Sequence, residues 1–131
     1  MLDHVSITVS GIAVAERFYD AVMAALGVAK VGARADWLGY GERARPEHPE
    51  RSYLSIRLGE GATEAFGRHW CFKAPNRQAV DDFWRDGVAA GGIDDGPPAV
   101  RPAYHPHYYA AFLRDPDGNR VEAVCHRAPD S

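Results

Sequence analysis

Arg68–Pro75 reads RHWCFKAP, and with it the chain starts its opening pattern again. Leu2–Ser10, LDHVSITVS, alternates with Val5, Ile7 and Val9 on one face and His4, Ser6 and Thr8 on the other, the period-two mark of a half-buried strand. Set without gaps at an offset of 65, His69 falls on His4, Phe72 on Ile7, Phe83 on Phe18, Trp84 on Tyr19, Gly92 on Gly27 and Ile93 on Val28. His69, Cys71 and Lys73 take one strand face, and Trp70, Phe72 and Ala74 the other. A match of strand, helix and stop residues over so long a period points to a duplicated supersecondary unit.

Each unit reads as a strand, a helix and three further strands. In the first, Ala13 to Leu26 carries Val14, Phe18, Val22 and Leu26 at a spacing of four, one helical face, with Gly27 as its C-terminal stop. Strand-like pieces follow at 28–33, 36–40 and 53–58, separated by a polar loop over 41–51 that holds Pro46 and Pro49. Gly59 to Gly67 has the character of a linker. In the second unit Pro75-Asn76 precedes a helix over about 77–90. Gly91-Gly92 and Asp95-Gly96-Pro97-Pro98 then lead to the cluster Tyr104-His105-Pro106-His107-Tyr108-Tyr109 and a strand ending near Leu113. Asp115-Pro116-Asp117-Gly118 fits a type I turn, so the last two strands form a hairpin. Whether Tyr108 or Tyr109 shares a face with Glu122 depends on a bulge at Gly118, which residue parity leaves open.

At 131 residues this is one α+β domain, with module one over about 1–64 and module two over about 65–128. A net charge of −3 and the lack of any Lys/Arg block argue against nucleic acid or an anionic membrane as partner. No apolar run approaches the length of a membrane span, and Met1 leads straight into strand-like sequence, so the expected location is the cytoplasm. The two cysteines, Cys71 and Cys125, lie in apolar runs and read as buried structural thiols.

Glu122 stands among Val121, Ala123 and Val124, and a carboxylate in an apolar strand needs a cation, a metal or a hydrogen-bond donor. His4 and His69 hold equivalent places in two first strands, on the faces turned away from the helices. Two imidazoles and a carboxylate on an open sheet face form a ligand set for a divalent metal that leaves positions free for substrate. Each histidine taken alone reads equally as a hydrogen-bonded strand residue.

LDHVSITV with its helix, RHWCFKAP with its helix, and DPDGNRVEAVCH together resemble the vicinal oxygen chelate superfamily, which includes glyoxalase, bleomycin-resistance, fosfomycin-resistance and extradiol dioxygenase proteins. The resemblance implies paired βαβββ modules whose mixed sheets curl into an open cup or barrel around one divalent ion (Mn, Fe, Zn or Ni) held by His4, His69 and Glu122. It also implies a homodimer with exchanged modules acting on a small-molecule substrate. Glyoxalases carry a fourth ligand, Glu or Gln, in the last strand of module one. Here the 65-residue offset sets Arg57 against Glu122, and a two-residue slip sets Ser55 there; neither is an ordinary ligand, which disfavours lactoylglutathione lyase activity. Arg57 instead suits an anionic substrate group, and Tyr109 and His105 suit acid, base or stacking roles. A metal-free bleomycin-resistance-like binding protein, resting on Trp37, Trp70 and the 104–109 aromatics, and a fosfomycin-type thiol transferase are the alternatives.

Overall fold

The computed structural model describes residues 1–60 and 68–129; most of the expected linker over Gly59 to Gly67 lies outside them. Module one runs β1 (His4–Val9), α1 (Ile12–Ala25), β2 (Lys30–Arg34), β3 (Trp37–Gly41) and β4 (Tyr53–Leu58). Module two repeats the order as β5 (Trp70–Lys73), α2 (Arg77–Ala89), β6 (Ile93–Val100), β7 (Tyr109–Arg114) and β8 (Arg120–Cys125). Each module forms its own four-stranded sheet, in the orders β1-β4-β3-β2 and β5-β8-β7-β6. The first strand pairs parallel with the last, and the other neighbours are antiparallel. The α+β duplication expected from the offset is therefore present, and the two sheets stay separate instead of closing into a barrel.

Helix α1 ends as Gly27 directs. Gly27 takes φ 75°, its N–H bonds to the Ala24 carbonyl at 3.0 Å, and the Val28 N–H bonds to that of Met23 at 2.8 Å. That pair of bonds satisfies two carbonyls the helix end would otherwise leave open. Three residues of the expected stripe, Phe18, Val22 and Leu26, are buried, and its first member is not. Val14 is exposed, and Ala15, Phe18, Tyr19, Val22 and Met23 are buried. A strict spacing of four gains about 40° per step on a helix of 3.6 residues per turn, so a stripe counted in fours rotates its first member out of the core. Helix α2 starts where Asn76 accepts a hydrogen bond from the Ala79 N–H at 2.8 Å.

The helices join the modules. A Cβ at Gly87 of α2 would stand 2.4 Å from Leu113 Cδ1 and 2.9 Å from Val22 Cγ1 of α1, so only glycine lets the two helices and β7 meet there. Strand β6 admits Pro97 and Pro98 because it is an edge strand, and its register against β7 shifts on either side of Gly96. Among the described residues no helix is long and apolar enough to cross a membrane.

A second junction is the β7–β8 turn. Gly118 donates to the Asp115 carbonyl at 2.9 Å and takes φ 92°, and Asp115 N–H reaches the Asn119 carbonyl at 2.8 Å, a type I turn closed by a glycine bulge. The Asp115 side chain is fully buried and accepts from the Tyr19 hydroxyl of α1 at 2.7 Å, from the Asn119 amide at 2.8 Å, and from the backbone N–H groups of Asp117 and Asn119. The Asn119 amide also reaches the Thr8 carbonyl at 3.0 Å, while the Ser10 N–H and hydroxyl both donate to Asp117. Asp115→Ala strands these buried donors and is expected to lower unfolding stability by roughly 3 kcal/mol, against about 1 kcal/mol for Tyr19→Phe, as read from urea denaturation. Equal midpoints for Asp115→Ala and the native chain would show that the turn does not hold the modules.

Candidate metal and substrate site

Strand register decides which side chains share an open face. In sheet two Cys71 lies opposite Glu122 on β8, and Phe112 of β7 lies opposite Glu122 on its other side. With Tyr109 opposite Cys125, the even-numbered residues of β7 share the face of Glu122. Tyr108, just before β7, continues that face, and its hydroxyl donates to Glu122 Oε2 at 2.6 Å. His69 Nε2 stands 3.1 Å from Glu122 Oε1. A carboxylate only accepts, so in this state Nε2 carries the ring proton. The Glu122 side chain is 2% exposed while that of His69 is 47% exposed, so the carboxylate forms the floor and the imidazole the rim. This is the partner that a buried strand carboxylate required.

The expectation for Tyr109 does not hold geometrically. Its hydroxyl donates to Asp81 on α2 and Arg77 lies over its ring, 4.9 Å from the centroid, so it serves the helix side of the sheet. Burial first, and then the bond to Asp81, pushes it up to about 12. His105 is at the site's edge: its Nε2 is 2.8 Å from His126 Nδ1, and both rings stand edge-on to Tyr108. One ring of that pair must donate and the other accept, so the contact cannot hold two doubly protonated imidazoles. Tyr108, which parity could not separate from Tyr109, is thus the hub between Glu122 and the histidine pair. Burial, followed by the hydrogen bond to Glu122, raises it above the ordinary tyrosine range, so it remains a donor near neutral pH.

Cys71 departs from its expected burial. It is exposed on the open face, although its sulfur lies beside Glu122, and burial first and the Glu122 charge next push the thiol up to about 12. Cys125, facing the helix, is buried as expected.

His4 occupies the equivalent place on the other sheet. Its Nδ1 is 2.8 Å from Asp3 Oδ2 and its ring stacks on Tyr53 at 5.2 Å. Register also resolves the missing fourth ligand. Ser6 pairs with Ser55 as Cys71 pairs with Glu122, so with His4 matched to His69 the counterpart of Glu122 is Ser55, and Arg57 lies one step further along the face. Ser55 is fully buried, and its hydroxyl accepts from the Trp37 indole N–H at 3.0 Å.

One imidazole and one carboxylate therefore converge within the chain, and the second imidazole, His4, is on a separate sheet. Among the described residues no three His, Cys, Asp or Glu side chains are grouped so as to hold an ion. The donor chemistry of His69 and Glu122 suits a borderline divalent metal, and two protein donors make half of a site.

No family model and no curated protein matches the chain. Solved structures do. A glyoxalase/bleomycin resistance protein from Albidiferax ferrireducens T118 is 31% identical with a TM-score of 0.77, covering 97% of this chain and 98% of its own. A glyoxalase/bleomycin resistance protein/dioxygenase family enzyme from Burkholderia phytofirmans PsJN is 20% identical with a TM-score of 0.68, over 93% and 95%. The fosfomycin resistance protein FosX of Mesorhizobium loti is 18% identical with a TM-score of 0.66, over 95% and 90%; these last two share the fold. The chain belongs to the glyoxalase/bleomycin resistance protein family, with the vicinal oxygen chelate fold.

Burial first, and then a carboxylate neighbour, raises Tyr108, Tyr109, Tyr19 and Tyr40 above the free phenol. Spectrophotometric titration of the native chain and of Tyr108→Phe or Tyr109→Phe is expected to give the same phenolate absorbance up to pH about 10. A smaller rise in the Tyr108→Phe variant would mean that Tyr108 ionises in the ordinary range and does not hold its proton against Glu122.

Proposed function

We propose that the chain is a divalent-metal-dependent, glyoxalase-like enzyme acting on a small oxygen-rich substrate, its ion held by His69 and Glu122 with His4 supplied by a second copy of the chain. The observation that carries this is the approach of His69 Nε2 to Glu122 Oε1 on an open sheet face, with the carboxylate almost wholly buried. Bound there, a divalent ion would supply Lewis-acid activation of neighbouring substrate oxygens. Mn, Fe, Zn and Ni all accept this donor set. Tyr108 fixes the rotamer of Glu122 through its hydrogen bond, and the His105–His126 pair backs the ring of Tyr108. Lactoylglutathione isomerisation is disfavoured, because Ser55 stands where a carboxylate would have to carry the proton.

A second reading, a metal-free binding protein, is favoured by one specific observation: both Glu122 oxygens already have a partner, one in His69 and one in Tyr108. A thiol-transferase activity of the fosfomycin kind rests on the fold likeness alone.

Metal titration separates the first two readings. Purified without chelator, the protein is expected to take one ion of Zn(II) or Mn(II) per chain, and His69→Ala, Glu122→Ala and His4→Ala each weaken it by about tenfold or more. Because metal ligands must bind in their deprotonated forms, the affinity is expected to fall as the solution is made acidic. If none of Mn, Fe, Zn or Ni binds at stoichiometric level, the enzyme reading fails and the binding-protein reading stands.

A further inference from the structure

Sheet one carries a second feature on its open face, and it is built around Trp37. The indole lies flat across the strands: a Cβ at Gly39 would meet it at 2.4 Å and one at Gly32 at 2.5 Å, so two glycines in directly paired positions make the shelf on which it rests. Glycine in a strand interior weakens the strand, and here two are spent to seat one ring. Ser55 holds the indole N–H, fixing the ring's rotation.

Three arginines surround this plate. The Arg34 guanidinium stands over the Trp37 ring at 4.9 Å, and that of Arg43 over both Trp37, at 6.0 Å, and Tyr53, at 4.7 Å. Arg57 is the direct cross-strand neighbour of Trp37 on β4 and is exposed, as are Arg34 and Arg43. The nearby cations are spent otherwise: Lys30 pairs with Glu16 and Asp20, and Arg51 pairs with Glu42 at 2.7 Å. Among the described residues Arg34, Arg43 and Arg57 have no carboxylate partner. Module two makes the contrast clear. There Phe112 lies against Gly96 with Arg101 over it at 5.3 Å, but Arg101 donates to the Pro97 carbonyl at 2.7 Å. In module one the Arg34 and Arg43 guanidiniums over Trp37 make no such bond among the described residues. Three like charges kept together on a chain of net charge −3 call for an anion.

We propose that this face binds the carboxylate of a small planar acid. The guanidiniums of Arg34 and Arg43, oriented by stacking on Trp37 and Tyr53, present N–H pairs that match a carboxylate bidentately. Arg57 adds the third charge, and the stacked His4 and Tyr53 rings flank the planar part of the ligand. Ser55, at the fourth-ligand position of module one, thus holds the indole on which these charges stack instead of an ion. The proposal rests on the open faces being the ligand side, as in the proposed function, but needs no ion to be tested.

The test is titration of chelator-treated protein with benzoate, benzamide and inorganic phosphate, followed by calorimetry and tryptophan fluorescence. Benzoate is expected to bind saturably and about tenfold or more tighter than neutral benzamide, with affinity falling as salt is added. The double variant Arg34→Gln/Arg43→Gln is expected to lose benzoate affinity about tenfold or more while its thermal midpoint and its Zn(II) affinity remain those of the native chain, so loss of the anion site and loss of the ion are read separately. Equal affinity for benzamide, phosphate binding as tight as benzoate, or undiminished benzoate binding by the double variant would each overturn the proposal.

Discussion

A buried carboxylate, Asp115, is the constraint on which the arrangement of the two modules depends. A charge with no exposure is tolerable only if every lone pair is used, and Asp115 meets that condition by drawing donors from its own turn and from Tyr19 of the other module. The same turn sets the count of residues between β7 and β8, and so fixes the register that places Phe112, not Leu113, opposite Glu122. One interaction thereby orients module one against module two and decides which side chains reach the candidate site. The glycine contact between α1 and α2 reinforces it by letting the helices approach.

The two sheets have used their duplicated positions for different ends. At the Glu122 position module two keeps a carboxylate with His69 and Tyr108 as its donors, while module one has Ser55, engaged by Trp37. A hydroxyl is a poor ligand for a divalent ion but a sound acceptor for an indole N–H, so the loss of a ligand in one module comes with the gain of an aromatic plate. Charge follows the same division: Glu122 lies in sheet two, and Arg34, Arg43 and Arg57, which have no carboxylate partner among the described residues, gather on the open face of sheet one.

Much of this was legible in the residues. The offset of 65 placed the repeated strand–helix units, Gly27 marked a helix end through its backbone freedom and Asn76 a helix start through its side-chain cap, and the need of Glu122 for a partner is met by the His69 ring and the Tyr108 hydroxyl. The failures share a cause. Val14 follows from a local period, Cys71 from local hydrophobicity and Tyr109 from its place in an aromatic cluster, whereas the structure sets each by the neighbour that lies across the sheet or helix. Trp37 reads in the sequence only as an aromatic, because Gly32 and Gly39 mean a shelf only when paired on adjacent strands.

The sequence by itself determined the duplicated βαβββ plan, its turn and caps, and the set of polar residues on the open strand faces, because period, glycine and proline act over a few residues. Only the tertiary structure decided that Ser55 is the counterpart of Glu122, that Tyr108 and not Tyr109 holds that carboxylate, and that His4 is on a sheet apart from His69. Those are matters of register and of module packing, where a shift of one residue turns a side chain to the opposite face.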